Sequence, residues 1–90
     1  MSIKIDISLL SNQYTKGQKI VDVKGSTVGQ CLDDLIKQFP SIKEGLFDGN
    51  GKVHNFIDIY VNDESTYPGA LTKPVKDGDK LHIIFLIGGG

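Results

Sequence analysis

The clearest pattern in the chain is a near-continuous apolar run at residues 81–87. Side chains alternate between the two faces of a strand, so an unbroken apolar run of strand length predicts a central strand that is buried on both faces. Gly88, Gly89 and Gly90 follow this run directly. Because glycine has no Cβ and adopts nearly any backbone conformation, the sequence predicts a flexible tail that begins at the end of a rigid strand.

Three other segments have the pattern of strands. Residues 3–9 and residues 56–62 alternate apolar with polar side chains, which predicts strands with one buried face each. Residues 19–23 are rich in β-branched types and follow a Lys16-Gly17 turn signal. They therefore predict a strand that pairs with the first one as a hairpin.

One amphipathic helix is predicted after the hairpin. Its start fits a capping box of Thr27 and Gln30, and Pro40 ends it because proline has no backbone N–H to donate. Cys31 lies on the apolar face, so we interpret its thiol as part of the core and not as a redox or nucleophilic group. Apolar residues at spacings of three and four form that face: Val28, Cys31, Leu32, Leu35, Ile36 and Phe39.

The order of these elements predicts the fold. The first and last strands have the strongest apolar patterns, so the economical arrangement pairs them at the centre of a sheet with the helix across one face. This is an α+β fold of the ubiquitin-like β-grasp type, with a mixed sheet of about four to five strands and one main helix packed across one face. We divide the chain into a β-grasp domain, residues 1–87, and a flexible C-terminal glycine tail, residues 88–90.

Composition argues against several classes of function. Ninety residues suffice for one core, and a formal net charge of −1 without a basic block argues against a nucleic-acid partner. Cys31 is the only cysteine, which leaves no disulfide framework and no cysteine cluster for zinc or an iron–sulfur centre. The sequence shows neither a signal peptide nor a long apolar span. We therefore expect a cytoplasmic protein without a membrane partner.

The polar residues do not form a catalytic constellation. Asp77, Gly78 and Asp79 have the composition of a turn, which we favour over a metal site for the two carboxylates. His54 and His82 have no partner at a ligand spacing, so we interpret them as surface or hydrogen-bonded histidines. No metal, catalytic group or bound cofactor is expected on this chain.

Residues 51–64, the Asp77-Gly78-Asp79 turn and the glycine terminus together resemble the ubiquitin-like sulfur carrier proteins. That family includes the thiamine sulfur carrier, the small subunit of molybdopterin synthase and the cysteine-synthesis sulfur carrier, and residues 51–64 most resemble the last of these. The resemblance covers nearly the whole chain. One difference is that the family usually ends in two glycines after a proline or alanine, whereas three glycines follow Ile87 here.

The resemblance implies a function for the tail. A partner enzyme adenylates the carboxylate of the C-terminal glycine, and sulfur then displaces the phosphate to give a thiocarboxylate. The thiocarboxylate donates its sulfur in biosynthesis of the cysteine or homocysteine, molybdopterin or thiamine type. Gly90 carries the reactive carboxylate, or Gly89 does if Gly90 is removed first.

The resemblance also implies the partners. An E1-like adenylyltransferase uses ATP and magnesium, a synthase accepts the sulfur, and a metalloprotease is a candidate for trimming the tail. The carrier itself is a protein substrate and not an enzyme. Gly88, Gly89 and Gly90 suit a narrow enzyme channel, because glycine lets one backbone approach another closely.

A partner-binding surface is expected beside the tail. If Leu81, Ile83 and Phe85 face the helix, the alternate residues of the last strand face outward with those of the third strand. An exposed apolar patch usually marks a partner site, although a loop that covers this face is the competing interpretation. The predicted partner-binding surface consists of five residues: Phe56, Tyr60, His82, Ile84 and Leu86.

Two other functions stay open from the sequence. A ubiquitin-like modifier, joined through its C-terminal glycine to lysines of target proteins, uses the same activation with a different acceptor. A noncatalytic small subunit, as in molybdopterin synthase, docks its tail permanently in a larger enzyme. The sequence does not separate either of them from a free sulfur carrier.

Overall fold

A mixed sheet forms one layer of the molecule in the computed structural model, which describes residues 2–8, 17–54, 56–67 and 69–85. The order of its strands in space is β2-β1-β5-β3-β4. β1 and β5 run parallel at the centre, and the other neighbouring pairs are antiparallel. The strands are β1 (Ser2–Asp6), β2 (Ile20–Lys24), β3 (Ile57–Val61), β4 (Glu64–Ser65) and β5 (Lys80–Phe85).

The main helix, α1 (Val28–Gln38), has the predicted N-terminal cap. The hydroxyl oxygen of Thr27 accepts a hydrogen bond from the backbone N–H of Gln30 at 3.2 Å. The side-chain oxygen of Gln30 accepts in turn from the backbone N–H of Ser26 at 2.7 Å, one residue before the cap. The first bond satisfies a donor that a helix start leaves free, and the second fixes the residue before the cap. A short helix, α2 (Ile42–Leu46), and a 3₁₀ turn (Ala70–Thr72) follow.

The core lies between α1 and one face of the sheet. Ile3, Ile5, Ile59 and Leu81 are each 0% exposed, which is the alternation expected of strands with one buried face. Of the six residues predicted for the apolar stripe, Ile36 is only partly buried and Phe39 is buried just beyond the end of α1. The other four are buried within α1: Val28, Cys31, Leu32 and Leu35.

The other face of β5 is less buried than its apolar sequence predicts. Leu81 and Ile83 are 0% and 1% exposed, whereas His82 and Ile84 are only partly buried. The prediction that this strand is buried on both faces is wrong, because α1 covers one side of the sheet only. Ile84 therefore lies on the face of the sheet that α1 does not cover and is not part of the core between α1 and the sheet.

The outer edge of β2 is covered by side chains of α1. Asp34 accepts a hydrogen bond from the backbone N–H of Lys24 at 2.9 Å. Gln38 donates to the backbone oxygen of Asp22, also at 2.9 Å. These bonds occupy backbone groups that an edge strand otherwise leaves free.

The observed architecture is the β-grasp that the sequence predicts, with five strands in the described residues and α1 across one face. Among these residues, no helix combines the length and the apolar character needed to cross a membrane. The division into residues 1–87 and 88–90 stays a prediction, because residues 86–90 lie outside the described part of the chain.

Candidate functional site

The predicted site lies at the carboxyl end of β5, which the sheet holds between β1 and β3. Phe85 is the last described residue of this strand, and its Cα partner on β3 is Ile57. The roles predicted for the tail and for Leu86 stay predictions. The site residues outside the described part of the chain are Leu86, Gly88, Gly89 and Gly90.

Hydrogen bonds fix the opposite end of β5. The Asp79 carboxylate accepts from the backbone N–H of Lys76 at 3.0 Å and from the side-chain amide of Asn62 at 3.2 Å. These two bonds lower the pKa of Asp79, the one from Lys76 most strongly. Asp77 accepts from the backbone N–H of Ser2 at 2.9 Å. Both carboxylates thus act as turn residues, as predicted from the sequence.

Tyr60, His82 and Ile84 lie on the face of the sheet that α1 does not cover. Tyr60 and His82 are Cα partners across β3 and β5, and Ile84 is the partner of Asp58. Side chains of such partners are neighbours on one face. Asp6 of β1 is the partner of His82 on its other side. The predicted partner surface is therefore mixed in polarity, with aliphatic Ile84 beside a carboxylate.

A contact between a histidine and a carboxylate joins β1 to β5 on this open face. The Nδ1 atom of His82 lies 3.6 Å from a carboxylate oxygen of Asp6. Burial raises the pKa of Asp6, but hydrogen bonding to Ser8 and the charges of His82 and Lys80 outweigh burial and leave the pKa lowered. The open face thus carries the Asp6 carboxylate beside His82.

Phe56 lies outside the strand that carries Tyr60, and its place on a partner-binding surface stays a prediction. β3 begins at Ile57, so the alternation of the strand does not extend to Phe56. The Phe56 ring instead stacks on Phe85, with centroids 6.3 Å apart, and on His54 at 4.8 Å. We call His54, Phe56 and Phe85 the aromatic stack.

His54 and Phe85 are the members of the aromatic stack that the sequence did not assign to a partner surface. Their proximity depends on the register that makes Ile57 the partner of Phe85. It also depends on the turn closed by the hydrogen bond from the Ile57 N–H to the His54 oxygen at 3.0 Å. No spacing pattern in the sequence signals either feature.

The remaining candidate groups have structural roles. Cys31 is 0% exposed, and burial together with the charge of Asp34 raises the pKa of its thiol, which opposes the reactive thiolate form. The Nε2 atom of His54 lies 3.2 Å from the backbone oxygen of Glu44. Within residues 2–8, 17–54, 56–67 and 69–85, no group of three or more His, Cys, Asp or Glu side chains could hold a metal ion.

The pairing of β1 with β5 beneath one helix defines a ubiquitin-like β-grasp protein. A model of the ThiS family matches residues 10–90. The chain therefore belongs to the ThiS family, which confirms the family resemblance noted in the sequence.

Individual relatives agree with this assignment. The chain is 37% identical to the sulfur carrier protein CysO of Mycobacterium tuberculosis over 93 residues, which cover 100% of both proteins. It resembles a chain in the crystal structure of the Amycolatopsis orientalis BexX/CysO complex, with a TM-score of 0.84, 39% identity, and 98% of this chain and 99% of that chain covered. Small archaeal modifier protein 1 of Haloferax volcanii is 32% identical over 71 residues, 78% of each protein.

Proposed function

We propose that this chain is a sulfur carrier protein. The observation that carries the proposal is the similarity to a sulfur carrier protein over the full length of both chains. The carboxylate of the C-terminal glycine attacks ATP, releases pyrophosphate and becomes an acyl adenylate. A sulfur nucleophile then displaces AMP and leaves a thiocarboxylate, which is the form that donates sulfur to an acceptor.

The chemistry requires this activation. An α-carboxyl group has a pKa of about 3.5, so at neutral pH it is ionised, resonance-stabilised and a poor electrophile. Adenylation supplies the leaving group. An E1-like adenylyltransferase provides the ATP and magnesium site, and the carrier takes part as a protein substrate and not as an enzyme.

The geometry of β5 supports a tail that enters another protein. Five residues follow Phe85, and a fully extended chain of that length spans at most about 18 Å. This reach lets the terminal carboxylate enter an active site while the β-grasp body stays outside. Because β5 is the central strand, the body gives the tail a fixed point of departure.

We propose an acceptor of the cysteine or homocysteine type, because similarity to CysO over the whole chain favours that pathway. A synthase would bind the thiocarboxylate form and take the sulfur. The cytoplasm suits this chemistry, since its reducing conditions preserve thiol-like sulfur.

A protein modifier is the second candidate, favoured by the similarity to small archaeal modifier protein 1. The activation step is the same in both functions. The difference lies in the acceptor, which is a lysine amine of a target protein for the modifier and a biosynthetic intermediate for the carrier.

Intact mass spectrometry of the protein from its own cells tests the proposal. We expect a species in which one oxygen is replaced by sulfur, located by fragmentation on the terminal glycine. The matched control is the chain truncated after Phe85, which should stay unmodified. Conjugates on lysines of other proteins would instead support the modifier.

The same spectra identify the reactive glycine. We expect thiocarboxylate on Gly89 if a metalloprotease first removes Gly90, and on Gly90 if no trimming occurs. A tail that stays unmodified in cells and is not adenylated by the adenylating enzyme of the same organism would contradict both functions.

A further inference from the structure

The aromatic stack exposes a large apolar side chain next to the start of the tail. Phe56 is 50% exposed although its ring contacts two neighbours. Its plane lies 13° from that of His54 and 26° from that of Phe85. Partly exposed aromatic side chains are frequent anchors of protein interfaces, because they bury a large area when they enter an apolar recess.

The Phe56 ring is positioned before any partner binds. The backbone N–H of His54 donates to the oxygen of Leu46 at 2.9 Å, and the N–H of Ile57 donates to the oxygen of His54 at 3.0 Å. Phe85 packs against the core cluster. A side chain held in this way loses little conformational freedom on binding, so more of its contact energy contributes to affinity.

The length of the tail places the stack within reach of the enzyme that activates it. The terminal carboxylate lies five residues after Phe85 and at most about 18 Å from it. An acyl adenylate is destroyed by water, so the enzyme that forms it has to enclose the tail. An enzyme that encloses the tail close to its start would lie against Phe85 and against Phe56 beside it.

We propose that the aromatic stack is a docking contact for the adenylating enzyme, with Phe56 inserted into an apolar recess of that enzyme. The inference rests on the proposed function and assigns it a second contact surface. This surface is distinct from the open face of the sheet, where Tyr60 and Ile84 lie, because Phe85 belongs to the side of β5 that packs against the core.

The test is steady-state adenylation by the adenylating enzyme of the same organism, followed as pyrophosphate release while the carrier concentration is varied. Phe56→Ala should raise KM about tenfold and leave kcat nearly unchanged, because a docking contact is made equally in the ground state and the transition state. His54→Ala removes one support of the ring and should raise KM less, about threefold.

Ile20→Ala is the matched control. Ile20 is 46% exposed, close to the exposure of Phe56, but it lies on β2, which β1 separates from β5. This variant should keep the wild-type KM. Thermal unfolding of every variant shows whether a change in KM arises from loss of the fold. If Phe56→Ala unfolds, Phe56→Leu keeps apolar contact with Phe85 and should still raise KM.

The outcomes separate the two proposals. Wild-type KM and kcat for folded Phe56→Ala and Phe56→Leu would overturn the docking inference and leave the carrier function standing. Normal adenylation with slow sulfur delivery would also overturn it, because the stack would then contact the acceptor enzyme. A wild-type chain that is not adenylated would overturn the proposed function and, with it, the docking contact.

Discussion

The two ends of β5 are built in different ways. At the start, Lys80 and Asn62 exchange hydrogen bonds of 3.2 and 2.7 Å, and Leu81 next to them is 0% exposed. At the end, Phe85 is only partly buried and its aromatic neighbour Phe56 is half exposed. The start is therefore held by directional bonds and full burial, and the end by partial packing.

The start of β5 should matter mainly for stability and its end mainly for recognition. A fully buried residue contributes its whole apolar area to folding, whereas a half-exposed residue keeps part of that area for a partner. Substitutions at the start should therefore reduce the free energy of unfolding, and substitutions near the end should mainly weaken reactions with partner enzymes.

The largest expected effect is at Leu81. Leu81→Ala should lower the free energy of unfolding by about 3 kcal/mol, through lost burial and the cavity left behind. Phe85→Ala should cost less, about 1–2 kcal/mol, because part of the Phe85 side chain is already exposed when folded. Urea unfolding measures both values. Equal costs, or a larger cost at Phe85, would contradict the contrast between the two ends.

A smaller effect, on partner binding, is expected at Ile84. Ile84→Lys places an ammonium group opposite Asp58, so the fold should persist while the apolar contact is lost. We expect KM for adenylation to rise about tenfold, equivalent to about 1.4 kcal/mol. Ile84→Glu is the charge-reversed control and should raise KM as well. If both variants fold and are adenylated like wild type, the predicted open-face partner surface is wrong.

A substitution in the turn before β5 should lower the free energy of unfolding by about 1 kcal/mol. Gly78 has φ +92°, and a Cβ there would meet nothing within 4 Å, so Gly78→Ala tests backbone strain alone. We expect a loss of about 1 kcal/mol in urea unfolding. Gly49→Ala is the control, because its Cβ would also meet open space and its φ is not positive. Equal stability of the two variants would refute the strain argument.

The smallest effect is the acid sensitivity of the same turn. The folded-state pKa of Asp79 is lowered by hydrogen bonds from Lys76 and Asn62, so its stabilising contribution is present above the ordinary pKa of 3.8. It is lost as the pH falls through the lower, folded-state pKa. Wild type and Asp79→Asn should therefore differ in Tm at neutral pH and converge in acid. A difference that stays constant with pH would argue against this linkage.

Local signals in the sequence predicted most of the fold but only part of the site. The cap at Thr27 and the strand pairing depend on residue types at short spacing, and the structure confirms both. The position of Phe56 depends on where β3 begins and on the register that pairs Ile57 with Phe85. Only tertiary packing sets these two features. The apolar run predicted a strand buried on both faces, because a sequence shows where apolar residues lie and not what covers them.

Asp34, which accepts from the Lys24 N–H, and Gln38, which donates to the Asp22 oxygen, should hinder self-association at the edge of β2. A second copy of the chain could extend the sheet at this edge only after displacing both side chains, and the exposed charges of Asp22 and Lys24 oppose an apolar contact there. Polymerisation through this strand should therefore be slow even at high concentration. For the proposed carrier, whose tail would be offered to one enzyme after another, an edge that does not recruit copies of the same chain would be an advantage.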